Sequence, residues 1–253
     1  MTHIHRLLGV FLCAAVMLVP RLGWAEQSFL YQISTQQALE AGDFDGEASL
    51  AELKQVGDFG FGVFHELDGV LVAVEGGFFQ VSGDGKVAPA KDTKKISFAA
   101  ATRFKTDRLL KLEQIEGLEQ LEKRLDSLLP TPNIFYAVLV QGKFATIKTT
   151  SLRRQSKPYP AYKDVIAQQP VFKLANVEGS LIGLRYPCLA KGLGGPGYVW
   201  SFLTQDRRSG GRVLECSFSG LTAKIENIHL LNLKLPSDSS FYKTGGAGQN
   251  AAK

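Results

Sequence analysis

The residues best placed to do chemistry in this chain lie in one stretch, Gly197-Tyr-Val-Trp-Ser-Phe-Leu-Thr-Gln-Asp-Arg-Arg-Ser-Gly-Gly-Arg-Val-Leu214. It reads as two strands joined by a charged turn that runs from Asp206 to Gly211. Successive side chains of a strand point to opposite faces. Tyr198, Trp200 and Phe202 therefore share the apolar face, and Val199, Ser201 and Leu203 take the other. Arg212 opens the returning strand close to Val199 and Ser201. A guanidinium stays charged and can hold a carboxylate through two parallel hydrogen bonds. Two uses of Arg212 stand side by side. It anchors a small hydroxy or keto acid without turning it over, with Thr150 and Ser201 supplying hydroxyls, or it pairs with Glu215 or another acid and fills space.

Other groups of reactive residue types are weaker. His65-Glu66-x-Asp68 has the composition of a ligand cluster, but such residues also dress solvated turns, and a turn is the expectation here. His229, between Ile228 and Leu230, reads as a surface or hydrogen-bonded histidine on a late strand. No nucleophile elbow accompanies Ser201 or Ser209, so a serine–histidine–acid triad has no support. The glycines of Gly57-Asp-Phe-Gly-Phe-Gly62 are not followed by a helix start, which argues against a phosphate loop.

The stretch 197–214 resembles the metal-binding hairpin of the α-acetolactate decarboxylase family. That pattern is Gly-Tyr-His-x-His-Phe, then Asp-x-x-Ser-Gly-Gly-His-Val, with the three histidines on a zinc ion. The frame stands here in Gly197, Tyr198, Phe202, Arg207, Ser209, Gly210, Gly211 and Val213. The ligand positions carry Val199, Ser201 and Arg212. Further landmarks follow the family's order: Tyr31-Gln-Ile-Ser-Thr35, Gly57-Asp-Phe-Gly60, Phe64 with Leu67-Asp-Gly69, Ser127-Leu-Leu-Pro130, Phe135-Tyr-Ala137, Lys157-Pro-Tyr159 and Gln169-Pro170. Together they span roughly Tyr31 to Phe241.

The resemblance implies the family's fold, a homodimer, and a reaction that converts 2-acetolactate to acetoin and carbon dioxide. In the implied mechanism the metal chelates substrate oxygens and stabilises the enediolate, while carboxylates and an arginine place and protonate it. Carried over position by position, the glutamate after Leu-Asp-Gly is Val70, and the arginine of the Lys-Thr-Arg strand is Thr150, with Arg153 and Arg154 nearby. The acidic residue of the C-terminal tail has no match, since no Glu follows Glu226 and no Asp follows Asp238. The former active site is thus expected at Val70, Thr150, Val199, Ser201 and Arg212, with no catalytic residue and no zinc. The expectation is an inactive homologue that binds a small carboxylate or a partner; the alternative is an active decarboxylase with a rearranged site.

Counting supports the loss of zinc. Met1 to Arg6 is basic, Leu7 to Val19 is an apolar run of 13, and Gly23-Trp-Ala25 offers small residues for cleavage after Ala25. An exported, periplasmic or secreted protein is expected, with no stable membrane insertion after processing. Removal of 1–25 takes Arg6, Arg21, His3 and His5, leaving 27 basic against 24 acidic side chains, a net charge of +3. Only His65 and His229 remain, too few for a three-histidine site in one chain. The charge is too mild, and too poor in aromatic-interleaved basic runs, for nucleic acid. Cys188 and Cys216 survive processing, and an oxidising compartment allows either a disulfide or two separate thiols.

The elements that must position these residues read as α+β: mixed β-sheets with a few short helices. Strands are expected over Leu30 to Ser34, Gly57 to Phe64, Val70 to Glu75, Gly77 to Val81, Ile96 to Phe104 and Leu109 to Gln114. Helices are expected over Thr35 to Ala41, Leu50 to Val56, Gly117 to Leu129 and Ala161 to Gln168. Ile134 to Val140 and Phe144 to Lys148 read as a hairpin around Gln141-Gly142. Val171 to Leu174, Gly179 to Arg185, Leu221 to Ile228 and Ile228 to Leu235 complete the strands. The chain divides into 26–155, an N-terminal half, and 156–241, a C-terminal half carrying the former metal hairpin, with a disordered tail at 242–253. The Gly-rich pairs Gly57 to Val81 and Gly179 to Phe202 suggest two similar halves.

Overall fold

The computed structural model describes residues 28–195, 197–237 and 239–243. The expected leader at 1–25 and the tail from 244 onward lie outside them. The chain runs through β1 (Phe29–Ile33), α1 (Gln36–Glu40), β2 (Ala48–Ser49), α2 (Leu50–Val56), β3 (Phe59–Phe64), β4 (Val70–Val74), β5 (Gly77–Val81), β6 (Val87–Pro89) and β7 (Lys95–Thr102). It continues through β8 (Arg108–Ile115), α3 (Leu118–Leu128), β9 (Phe135–Thr150), α4 (Tyr162–Ala167), β10 (Val171–Tyr186), β11 (Gly197–Thr204), β12 (Gly210–Ile228), β13 (Leu230–Lys234) and α5 (Ser239–Lys243). No described helix is long and apolar enough to cross a membrane.

The strands form two sheets. One is ordered β13-β1-β7-β3-β4-β5-β6, with β2 also on β7. The other is ordered β11-β10-β9-β12-β8, and β11 pairs back onto β12, so four of its strands close a ring of pairings. The fold is α+β, as its alternating and helical patterns imply. The sheets separate across 103–107, inside the span expected to form the N-terminal half, and β13 returns from the far end of the chain to lie parallel to β1.

Alternation along the strands builds four layers. Val72, Phe98 and Ala100 of the first sheet share a core with Leu139, Ile182 and Leu203 of the second. The first sheet's outer face, including Leu71, Ala73 and Ala99, is covered by Leu50 and Leu53 of α2. The second sheet's outer face, including Val138, Trp200 and Phe202, packs with Leu121 and Leu125 of α3. Helix α2 starts where it does because of a capping box: Ser49 Oγ accepts the Glu52 N–H (3.3 Å), and Glu52 Oε1 accepts the Ser49 N–H (3.1 Å). Lys234 of β13 reaches the same carboxylate at 2.6 Å, and that contact holds Glu52 down to about 2.

Three expectations are corrected. Gln141-Gly142 makes no hairpin: β9 runs unbroken through it, paired with β10 along its length. A Cβ on Gly142 would sit 2.5 Å from Leu221 Cδ2, and β12 shifts register opposite it, between Phe218 and Ala223. The glycine admits a crossing side chain and a bulge instead of a reversal. Likewise β10 joins two expected strands across Asn176, which adopts φ 50, and Tyr242 and Lys243 belong to α5 and not to the tail. Of the two alternatives left open for the cysteines, separate thiols are found: Cys188 is exposed, while Cys216 is buried in the second sheet's outer core. Burial pushes the Cys216 thiol up to about 12. Iodoacetamide should therefore label Cys188 in the native protein and both thiols after unfolding without reductant; a disulfide-linked peptide in the mass spectrum would contradict this.

Glu226 of β12 is an exception to the apolar interior. It is fully buried, and neither carboxylate oxygen has a hydrogen-bond partner among the described residues. Desolvation pushes its pKa up from an ordinary 4.5 to about 7, and the Ser28 and Thr102 hydroxyls, outside ordinary hydrogen-bond geometry, offset only part of the rise. A raised folded-state pKa means the neutral carboxyl's stabilisation is complete below about 4.5 and lost as pH rises through about 7. Glu226→Gln should stabilise the fold at pH 8 by on the order of 2 kcal/mol and change little at pH 4. Urea unfolding at the two pH values checks this; an equal shift at both would rule out the titration.

Candidate functional site

Strand β11 divides its side chains between two jobs. Tyr198 and Trp200 stack at 5.2 Å on the side facing α3. Trp200 Nε1 donates to Glu122 (2.9 Å), while Tyr198 Oη and Arg185 Nε both donate to Asp126 (2.8 Å each). These bonds fix the strand's rotation, so Val199 and Ser201 point the other way, into a cavity between the sheets. The tip of the hairpin is closed by Thr204 Oγ1 donating to Asp206 (2.6 Å), which also accepts the Arg208 N–H (3.0 Å).

Arg212 lies across from Ser201 on one side and from Thr150 on the other. The close approach of β12 to β9 depends on Gly211, at φ 130, where a Cβ would fall 2.4 Å from the Thr150 carbonyl oxygen. Val70, the first residue of β4, faces them from the other sheet, and all five positions named from the resemblance line the same cavity. Helices α1 and α4 pack together at its side, contributing Gln36, Leu39, Tyr162 and Ile166.

The electrostatics are lopsided. Arg212 is exposed and forms no ion pair among the described residues; Glu215, its suggested partner, is held by Lys148 at 2.9 Å. Arg154 does not enter the cavity either, because Glu66 accepts from its Nε at 2.6 Å. Thr150 is less available than expected: its hydroxyl donates to the Pro170 carbonyl at 2.7 Å, and the neighbouring Ser151 donates to Val81 at 2.6 Å. Tyr162 was not anticipated as a site residue. Burial raises its phenol pKa, the Arg212 charge opposes the rise, and the group stays a neutral donor. The signal was present in the spacing of Tyr162, Val165 and Ile166, one helical face directed inward.

A two-sheet α+β protein with a cavity between the sheets, bounded by a glycine-rich hairpin, is the class defined by this architecture. A family model described as alpha-acetolactate decarboxylase matches residues 30–245. The chain is 38% identical over 233 residues to the alpha-acetolactate decarboxylase of Methanosarcina mazei, covering 92% of this chain and 81% of that protein. It is 33% identical over 226 residues to that of Bacillus subtilis, covering 89% of each. The crystal structure of the Bacillus subtilis strain 168 protein superposes with a TM-score of 0.83, covering 85% of this chain and 92% of the other. The chain belongs to the alpha-acetolactate decarboxylase family.

The residues at the family's zinc positions do not fit zinc. Valine offers no donor, a neutral serine hydroxyl is a poor ligand, and the Arg212 guanidinium repels a divalent cation. No group of three or more His, Cys, Asp or Glu gathers in ligand geometry among the described residues. His65 is elsewhere, its Nδ1 accepting the Gly46 N–H at 2.8 Å beside Asp45 and Glu66. The purified protein should carry well under one zinc per chain by elemental analysis. The triple variant Val199→His, Ser201→His, Arg212→His should raise that toward one. Stoichiometric zinc in the parent that survives dialysis against a weak chelator would defeat the argument.

Proposed function

We propose that the cavity binds the carboxylate of a small hydroxy or keto acid, with Arg212 as its anchor, and that this exported family member has given up zinc-dependent turnover. The observation that carries the reading is a guanidinium without an ion pair among the described residues, at a cavity whose other lining side chains are neutral. A carboxylate paired with it would gain charge-assisted hydrogen bonds where the cavity excludes part of the water. Ser201 and Tyr162 are the hydroxyls available beside it, and Thr150 retains lone pairs to accept a hydrogen bond. The basic and apolar stretch at 1–25 supports export.

A second reading is the family reaction itself in a rearranged site, and the comparisons lean toward it. Relatives named alpha-acetolactate decarboxylase are 33% to 38% identical across about nine-tenths of the chain. In that reading the bond from carbon to the departing carboxylate breaks, and its electron pair passes to the neighbouring carbonyl oxygen as an enediolate. Arg212 would then meet the developing negative charge, and the carbon would be protonated by Tyr162 or by water.

One experiment separates the two. The protein is incubated with racemic 2-acetolactate while acetoin is followed, and 2,3-dihydroxy-2-methylbutanoate, a stable analogue, is titrated by calorimetry. Binding weakened about 10- to 100-fold by Arg212→Gln, as expected for losing a charged hydrogen bond, with acetoin no faster than the spontaneous rate, supports the first reading. Acetoin above that rate, lost with Arg212→Gln, installs the second. Neither binding nor turnover removes both.

A further inference from the structure

The side chains that replaced the metal site also change what the rest of a ligand would meet. Resting on the reading of the cavity as a carboxylate site, we infer that it selects 2-keto or 2-hydroxy monocarboxylates whose remaining substituent is a branched aliphatic or aromatic group. Acids with further hydroxyl or carbonyl oxygens are disfavoured.

The argument follows from where polarity sits. Arg212 is exposed and lines the cavity, so it stands where the space opens to solvent. The lining beyond it is buried and apolar: Leu39, Val70, Phe98, Leu152 and Val199 are each at most 9% exposed. Two hydroxyls in the same wall are spent as donors on backbone carbonyls, Thr150 on Pro170 and Ser151 on Val81. Gln36 directs its amide N–H to Glu40 at 2.8 Å. A ligand oriented with its carboxylate at Arg212, beside Ser201 and Tyr162, therefore sends its other substituent toward Val70 and Phe98, apolar side chains that offer no donor to an oxygen stripped of its water. An aliphatic or aromatic group in the same place gains by leaving water.

Val70 and Val199 approach from opposite sheets, one on β4 and one on β11. Their shared apolarity is what makes the tail site. The carboxylate end is a separate matter, governed by Arg212 with the neutral phenol of Tyr162 beside it. Affinity for the head and preference for the tail are thus carried by different residues and can be altered independently.

The test is calorimetric titration of the full chain with 4-methyl-2-oxopentanoate and with 2,3-dihydroxy-2-methylbutanoate. Burial of a methylene is equivalent to about fourfold in affinity, so the branched keto acid should bind at least about tenfold more tightly. Val70→Thr and Val199→Thr, which keep side-chain size and add a hydroxyl, should each reduce that preference severalfold by weakening the branched acid and strengthening the dihydroxy acid. Arg212→Gln should weaken both acids alike. Equal binding of the two acids, or tighter binding of the dihydroxy acid, overturns the tail preference and leaves the carboxylate reading intact. Binding of neither acid overturns both. Should one valine variant fail to fold, the other supplies the same comparison.

Discussion

Strand β12 is hydrogen-bonded on both flanks at the point where it carries Arg212, to β11 through Ser201 and to β9 through Thr150. This double pairing is the constraint on which the site depends. A side chain as long as arginine has many rotamers, but its root is fixed here by backbone bonds that closed a ring of four strands. Gly211 makes the closure feasible, because any Cβ there would strike the β9 backbone. The second sheet thereby holds one face against α3 and offers the other to the cavity, with the apolar layer of the first sheet opposite.

Persistence of the hairpin without histidines follows from the same packing. Tyr198, Trp200 and Phe202 are retained by contacts with α3 and its carboxylates, on the face away from the cavity. Those contacts owe nothing to a metal, so the frame can survive replacement of the ligands at small cost in stability. The inward positions Val199, Ser201 and Arg212 were free to change because the strand's alternation separates them from that anchor. Resemblance in the frame and divergence in the site are two faces of one strand.

Much of the fold could be read from the chain because local chemistry agreed with it. The helix expected over Leu50 to Val56 is one whose start Ser49 and Glu52 cap, and alternation in Tyr198 to Leu203 assigned both faces of β11. What was misread is where glycine or asparagine had two meanings. Gly142 and Asn176 looked like breaks between short strands, yet they lie inside strands of 16 residues: Leu221 crosses close to the Gly142 backbone, and Asn176 takes a left-handed conformation while β10 stays paired with β9 on either side. That information is in the partner strand and not in the local sequence. The gathering of Val70 with Arg212 was available only through the resemblance, since the two lie on different sheets. Tyr162 was overlooked for a different reason: its helical face reads simply as core, and only the position of α4 beside α1 turns it toward the cavity.

Exchange of a metal site for an arginine alters the geometry of recognition as well as the charge. A divalent ion accepts oxygens from several directions and so favours a ligand that chelates through adjacent groups. A guanidinium is planar and donates in parallel, which suits one carboxylate and is indifferent to oxygens next to it. The cation is also rooted on the exposed rim, whereas Val199 lies within the wall. On the proposed reading the three replacements act together: one moves recognition to a single carboxylate, one keeps a hydroxyl beside it, and one makes the space behind it apolar. In a cavity of this kind, discrimination among ligands passes from the number of oxygens that can be held to the shape of the group that can be buried.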